Sequence, residues 1–418
     1  MRTVQRIEKK GNATRLVAVE AGGESGGITA RVALIQALIP LGLDAVVEEL
    51  QQEVAALAGQ PHSRQGRQPG VVRWGEQRGS VYLADQKLPV VVPRVRDRLR
   101  RVEVPLESYR QLQQPRALDE GLFRRLLGGL ACREYAACAE AVPAAFGLSA
   151  STVSRRFVRA SARRLRELQE RSLAGERWVA LFLDGKTFAE DQVVIALGVT
   201  LQGAKRVLGL VQTATENQRV CAAFLRELVE RGFDGADGLL VVLDGAKGLR
   251  AAVGEVFGAA AQVQRCQWHK RENVVRHLPR SQQGTWRRKL QAAYAKPTYA
   301  QARAALRRLE AELTLANVSA AKSLAEGLEE TLTLHRLGLF AELGASFKTT
   351  NALESIMAQV EQRTAKVDHW RTSEQKQRWC AAALLLLEPR LRKVKGYRHL
   401  PRLVEALRTV TVTQADAA

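Results

Sequence analysis

The chain is 418 residues long and 46% hydrophobic, enough for two or three domains at the usual ~100–200 residues each and too apolar to be disordered throughout. Its 64 Lys and Arg against 43 Asp and Glu leave a net charge of +21, which points to a polyanionic partner, most often nucleic acid. The apolar run from Cys380 to Leu387 falls short of the ~18–20 residues that span a bilayer, the basic N-terminus holds no apolar signal core, and five cysteines make no disulfide framework, so membrane and secreted classes drop out and a reducing cytoplasm is expected.

The charge is unevenly spread. Residues 178–260 carry 8 basic and 10 acidic side chains, whereas residues 265–310 carry 12 basic and 2 acidic. A near-neutral centre flanked by basic segments suggests a catalytic core with DNA-holding surfaces around it.

In chain order, residues 1–60 read as a helical N-terminal region whose helix covers 28–59, with Ile28, Val32, Ile35, Leu38 and Ile39 on one face before Pro40 interrupts it. Residues 61–115 form a small β segment that opens with a polar Gly/Pro linker. Its strands are centred on Val81-Tyr82-Leu83 and on Leu88 to Val92, followed by Arg94, Arg96, Arg98, Arg100 and Arg101. Alternate arginines on an extended segment share a side and suit phosphate contact; a solvated edge strand guarded by charge fits equally. Residues 116–175 are expected as a helix-turn-helix DNA-binding region, helical over 120–170, in which Arg133–Phe146, Gly147-Leu148-Ser149 and Ala150–Ala160 have the form helix, turn, helix. Ser149 can cap the second helix, which would present Ser151, Thr152, Ser154, Arg155 and Arg156 to a DNA groove. Pro143 disturbs the first helix, and an ordinary helical hairpin remains the alternative.

From residue 178 the texture becomes α/β. Strands are predicted at 178–184, 192–201 and 204–213 as a meander, a helix at 217–231, and further strands at 239–244 and 261–266. Residues 269 to about 345 read as helical and basic, followed by helices from Asn351 and over Gln375–Leu387.

Two acidic residues end apolar strands in matching contexts, Leu183-Asp184-Gly185 and Leu243-Asp244-Gly245. A carboxylate at a buried strand end is costly unless a cation or donors compensate it, and two on adjacent strands with a third carboxylate make a hard-oxygen site suited to Mg²⁺. Turn-initiating Asp-Gly pairs are the plain alternative. Glu354, in Asn351-Ala352-Leu353-Glu354, is the third candidate, although Asn351-x-x-Glu354 is also a capping-box arrangement. Gly185-Lys186-Thr187 fails as a phosphate loop, because position 180 is Ala rather than the required Gly. Cys266-x-x-His269 lacks the second ligand pair that zinc needs; a packed Cys beside a hydrogen-bonded His fits better.

Taken in this order, Leu183-Asp184-Gly185-Lys186, Leu243-Asp244-Gly245, Cys266-x-x-His269 and Asn351-Ala352-Leu353-Glu354 resemble the Mutator-type transposases of bacterial insertion sequences. Lys366-Val367-Asp368-His369-Trp370-Arg371-Thr372 and Gly396-Tyr397-Arg398-His399-Leu400 add to the likeness, which covers roughly residues 70–405.

The resemblance implies an α/β fold with a ribonuclease H-like mixed-sheet core. The first part of that core would span 176–268, an all-helical insertion 269–346, and core completion with C-terminal helices 347–418. It implies a DDE triad of Asp184, Asp244 and Glu354 as catalytic residues and metal ligands, with two Mg²⁺ per active site, or Mn²⁺ in their place. Cys266, His269 and Lys186 would lie near that centre. Arg287, Arg288 and Lys289, with Arg307 and Arg308, would hold DNA backbone through charge. Some DDE enzymes keep a Lys or Arg seven residues after the Glu; here that position is Glu361, so no DNA role passes to it. The implied activity is binding of terminal inverted repeats, then metal-dependent strand cleavage and strand transfer. The implied partners are double-stranded DNA of transposon ends and target and a second subunit assembled on DNA, in a cytoplasmic, nucleoid-associated protein. A non-catalytic DNA-binding relic and a nuclease that does not join ends are the rival readings.

Overall fold

The computed structural model describes residues 3–10, 13–20, 26–62, 68–83, 86–113, 123–124, 126–128, 150–188, 191–213, 217–365, 367 and 369–415. The chain divides into two compact units, Met1–Ala160 and Ser161–Ala418. Among the described residues no helix is long and apolar enough to cross a membrane.

The first unit opens with a two-stranded antiparallel hairpin, β1 (Thr3–Lys10) and β2 (Ala13–Glu20), in which Lys10 pairs with Ala13. The helix read at 28–59 is present, but the region 1–60 is not helical before it: two runs containing β-branched residues, separated by Gly11-Asn12, carry a hairpin composition. The helix Gly26–Ala58 follows and runs through Pro40 rather than stopping there. Its C-terminal half is held by burial of Val46, Leu50, Val54 and Ala58 against Val71, Val81, Val90, Val92 and Val95. Those valines belong to β3 (Val71–Leu83) and β4 (Gln86–Asp97), which with β5 (Val102–Val104) form a three-stranded antiparallel sheet. Arg94 pairs with Glu103 at 2.7 Å, and the Arg96 and Arg98 guanidinia lie 4.8 and 6.0 Å from the Trp74 ring centre.

The first helix and turn of the expected helix-turn-helix, residues 133–149, lie outside the described residues. The second segment is the helix Ala150–Glu170. Ser151, Ser154 and Arg155 on it are exposed, and the half-buried Arg156 stacks 4.7 Å from the Tyr82 ring. Thr152 lies on the same helix.

The second unit is built on five strands: β6 (Trp178–Phe188), β7 (Asp191–Thr200), β8 (Lys205–Thr213), β9 (Leu239–Leu243) and β10 (Ala261–Arg265). Their order is β10-β9-β6-β7-β8, with β6, β7 and β8 an antiparallel meander and β9 and β10 parallel to β6. The predicted strands are all present, so the α/β class holds. A strand buried on both faces needs helices on both sides. On one face, helices Gln218–Glu230 and Lys247–Phe257 cover Leu181, Leu183, Val241 and Leu243. On the other, helices Asn351–Thr364, Ser373–Leu387 and Leu400–Ala415 cover Val179, Phe182, Leu240 and Val242. Between β10 and Asn351 every described element is helical. These helices enclose a separate core that includes Trp286, Leu290, Leu306, Leu313 and Leu324.

Candidate functional site

Leu183 of β6 pairs in parallel register with Leu243 of β9. The next residues are Asp184 and Asp244, so both carboxylates sit at the same height on neighbouring strands. Side chains alternate along a strand, which puts both on the face of Phe182 and Val242. That face is covered by the helix Asn351–Thr364, whose Leu353, Ile356 and Met357 pack into the same core. Phe182 stacks on Phe347, ring centres 5.5 Å apart, just before this helix begins. Glu354, in its first turn, is thereby carried to the level at which β9 ends; β6 does not end at Asp184 as expected but runs on to Phe188, held by its pairing with β7.

Asp184 is 2% exposed, and Lys186 Nζ stands 3.8 Å from its Oδ2. Asp244 is half-buried; its Oδ1 accepts a hydrogen bond from the Ala246 N–H at 2.9 Å, closing the turn after β9. Gly245 in that turn has φ of 105°, and a Cβ there would collide with the Arg265 guanidinium. Only glycine combines this conformation with so close an approach.

Cys266 and His269 line the same edge. The Cys266 N–H donates to the Leu243 carbonyl at 2.7 Å, directly behind Asp244. His269 Nε2 lies 3.7 Å from Glu354 Oε1. Burial pushes the imidazole below its ordinary value; the Asp244 and Glu354 carboxylates pull it back up, and Lys186 and Arg276 oppose them. These charges reach one ring, which ties Asp244, Glu354, Lys186 and His269 to one neighbourhood. Burial also raises the Cys266 thiol, against hydrogen bonds from His269, Thr350 and Trp268. A buried, protonated thiol is a packing and hydrogen-bonding group rather than a nucleophile.

Sequence reasoning missed Thr350. Its side chain is fully buried, and its hydroxyl lies 3.2 Å from Glu354 Oε1, 3.4 Å from His269 Nδ1 and 3.7 Å from Cys266 Sγ. One hydroxyl proton cannot serve all three, so Thr350 is a shared junction. The only signal for it was its place four residues before Glu354. The alternative reading of Asn351 and Glu354 as a capping box does not hold: Asn351 is the first helical residue, and Thr350, at the cap position, makes no side-chain cap bond. Trp268, beside His269, is 42% exposed, its indole edge-on to the imidazole at 4.8 Å.

Of the basic residues on the helix Arg280–Tyr294, Arg287 pairs with Glu272 at 2.9 Å and Lys289 with Glu312 at 2.5 Å. Arg288 donates to Thr285 Oγ1 at 3.3 Å, and Arg307 pairs with Glu310 at 2.7 Å. The exposed pairs of Lys289 and Arg307 are worth under about 1 kcal/mol, which leaves these cations within reach of a competing phosphate, whereas Arg287 is held by the largely buried Glu272.

Hard-oxygen chemistry fits a divalent cation: three carboxylates share one sheet edge, one of them almost fully buried. Among the described residues, however, no three His, Cys, Asp or Glu side chains converge closely enough to hold an ion as they stand.

The fold and this edge define a three-layer α/β protein with an acidic centre beneath an all-helical insertion. The chain belongs to the Mutator family of transposases: the family profile "Transposase, Mutator family" matches residues 23–387. It is 29% identical over 354 residues to the transposase for insertion sequence element ISRM5 of Rhizobium meliloti (strain 1021), covering 81% of this chain and 86% of that one. It is 30% identical over 224 residues to the transposase for IS6120 of Mycolicibacterium smegmatis, covering 52% and 68%. A third relative, the transposase for IST2 of Acidithiobacillus ferrooxidans, is 30% identical over 174 residues, covering 42% and 57%.

Proposed function

We propose that this transposase is a DDE enzyme on a ribonuclease H-like core, binding the terminal inverted repeats of an insertion sequence and catalysing DNA strand cleavage and strand transfer. The observation that carries this reading is the register of β6 and β9, which sets Asp184 beside Asp244, with Glu354 delivered to the same edge. The sheet order, an antiparallel meander flanked by two parallel strands, supports the core assignment.

Asp184, Asp244 and Glu354 would hold two Mg²⁺, or Mn²⁺, drawing closer together than they now stand. When bound, such a pair activates the attacking water or 3′-hydroxyl and stabilises the leaving 3′-oxygen. The chain's own groups have separate tasks. Lys186 supplies a positive charge beside the buried Asp184 and can orient a phosphate oxygen. His269 and Thr350 fix the rotamer of Glu354, as outer partners of a ligating carboxylate do. The helix Ala150–Glu170, through Ser151, Thr152, Ser154, Arg155 and Arg156, would read transposon ends, while Arg287, Arg288 and Lys289 would hold backbone. The assembly would be a homodimer formed on DNA, in the nucleoid.

The open arrangement of the carboxylates favours one rival, a DNA-binding relic without cleavage. Mobilisation of a marked donor flanked by the gene's own neighbouring DNA decides between them. Movement with the wild type, lost in Asp244→Asn while DNA binding persists, is expected. Equal movement with both proteins would overturn the triad, and binding without any cleavage would favour the relic.

A further inference from the structure

Beyond the last residue matched by the family profile, Leu387, lies a short segment with an unusual surface. Arg390, Arg392, Lys393, Lys395 and Arg398 are all exposed, within nine residues that hold no carboxylate. Among the described residues none of the five is paired with an Asp or Glu. The carboxylates nearest in the fold are already engaged: Glu388 with Arg171, and Glu342 with Arg402.

The segment is built rather than loose. The Val394 N–H donates to the Gly203 carbonyl at 3.0 Å, and Val394 itself is 2% exposed. The Lys395 N–H donates to Ser346 Oγ at 2.8 Å, and that hydroxyl donates back to the Lys395 carbonyl at 3.3 Å. Gly396 takes φ of 76° where a Cβ would strike the Glu342 carbonyl, and Tyr397 packs its Cβ against Gly203. The Tyr397 ring remains 37% exposed, with Lys393 Nζ 5.0 Å from its centre. A fixed backbone presenting unpaired cations around an exposed aromatic costs little ordering entropy when it meets a row of anions. It also keeps like charges close together, which needs a reason.

Gly203 lies in the turn between β7 and β8, and Thr200, just before it, pairs near Trp178 at the start of β6. Asp184 is six residues further along that strand. We infer that residues 390–398 form a second surface for the sugar-phosphate backbone of duplex DNA, at the opposite end of the sheet from the carboxylates and about 20 Å away along β6. That span is roughly six base pairs of duplex, so one DNA could run from the acidic edge to this patch. The arginines and lysines supply charge without base readout, and the Tyr397 hydroxyl supplies a further phosphate donor. The inference rests on the reading of this chain as an enzyme acting on DNA.

The test is the salt dependence of duplex binding by the full chain, wild type against Arg392→Ala/Lys395→Ala/Arg398→Ala. Each lost phosphate contact lowers the slope of log K against log salt by ~0.9, so a fall of about 2–3 is expected. The charge-keeping variant Arg392→Lys/Lys395→Arg/Arg398→Lys should restore the slope, which misfolding would not. An unchanged slope, or no duplex binding at low salt, overturns the inference. So does loss of binding to phosphatidylserine vesicles with the DNA slope intact. Asp244→Asn keeps the two readings apart: if it cleaves like the wild type while the slope responds to the patch, the triad fails and the patch stands.

Discussion

His269 and Glu354 approach to 3.7 Å although 84 residues, most of them the helical insertion, separate them. The approach exists because the insertion leaves and re-enters the core at one point. The Gln267 N–H donates to the Lys348 carbonyl at 2.9 Å, and Thr350 touches both Cys266 and His269. The third carboxylate is therefore placed by the exit of the insertion as well as by its own helix.

Thr350 should then matter more for activity than for folding. Thr350→Val keeps the shape and removes the hydroxyl that bridges Glu354, His269 and Cys266. A loss of about 1 kcal/mol in stability is expected, with a drop of about 10–100-fold in strand cleavage, as for other outer partners of ligating groups. Urea unfolding alongside a cleavage assay measures both. Cleavage at the wild-type rate would remove Thr350 from the site.

Much of this centre was legible because local chemistry is strong there. The runs Leu181-Phe182-Leu183 and Val241-Val242-Leu243 are continuous and apolar, as strands buried on both faces must be, and each ends in Asp-Gly. What could not be read was their relative register, since parallel pairing joins residues sixty positions apart with no turn to fix it. The N-terminal hairpin was missed because an amphipathic pattern further on dominated the reading, and Pro40 was given more weight than the burial of Val46 to Ala58 allows. Thr350 was hidden for a different reason. Thr-Thr-Asn before a helix looks like a cap in any protein, and only the fold shows its hydroxyl turned toward the carboxylate.

Two glycines with similar backbones separate strain from crowding. Gly75 has φ of 80° and open space around its Cβ position, whereas Gly245 has φ of 105° and faces the Arg265 guanidinium. Gly75→Ala should cost only the conformational strain, about 1 kcal/mol, and Gly245→Ala should cost more, because the Arg265 guanidinium must move away from the Glu326 carbonyl and carboxylate to make room. Because Gly245 follows Asp244, its substitution should also abolish cleavage. Equal thermal shifts for the two variants would contradict the crowding at Arg265.

Lys270 gives a pH dependence with an unusual sign. It is 1% exposed, its ammonium reaches the Glu326 carbonyl and stands 3.8 Å from the Glu326 carboxylate, and burial, with Arg265 adding to it, brings its pKa from 10.5 to about 8. Below about pH 8 both folded and unfolded chains carry the proton, and the fold bears the full cost of burying it. Between about 8 and 10.5 the unfolded chain binds more protons, so this group's contribution to stability rises with pH across that window. Against Lys270→Met, which has nothing to titrate there, the wild type should gain in unfolding midpoint from about pH 7 to about pH 10. Parallel profiles for the two proteins would mean that the ammonium is better solvated than its burial implies.

Glu388 should be the costliest single ion-pair residue to remove in the second unit. It accepts both Arg171 Nη groups at 2.9 and 2.8 Å and the Val207 N–H at 2.6 Å, with Arg206 at 3.9 Å. These contacts tie the end of the helix Ala150–Glu170 to β8 and to the turn after Ser373–Leu387. Glu388 is 8% exposed and Arg171 24%, so truncation strands a largely buried guanidinium and a buried backbone donor together. Breaking such a pair from one side costs about 3–5 kcal/mol, far above an exposed bridge. Glu388→Ala should lower the urea midpoint accordingly, and Glu388→Gln, which keeps an acceptor for Val207, should lose less. If Arg171→Met/Glu388→Leu recovers most of the loss, the penalty belongs to the stranded charge rather than to the pair's own attraction. A double variant as unstable as Glu388→Ala would place the loss at the Val207 N–H instead.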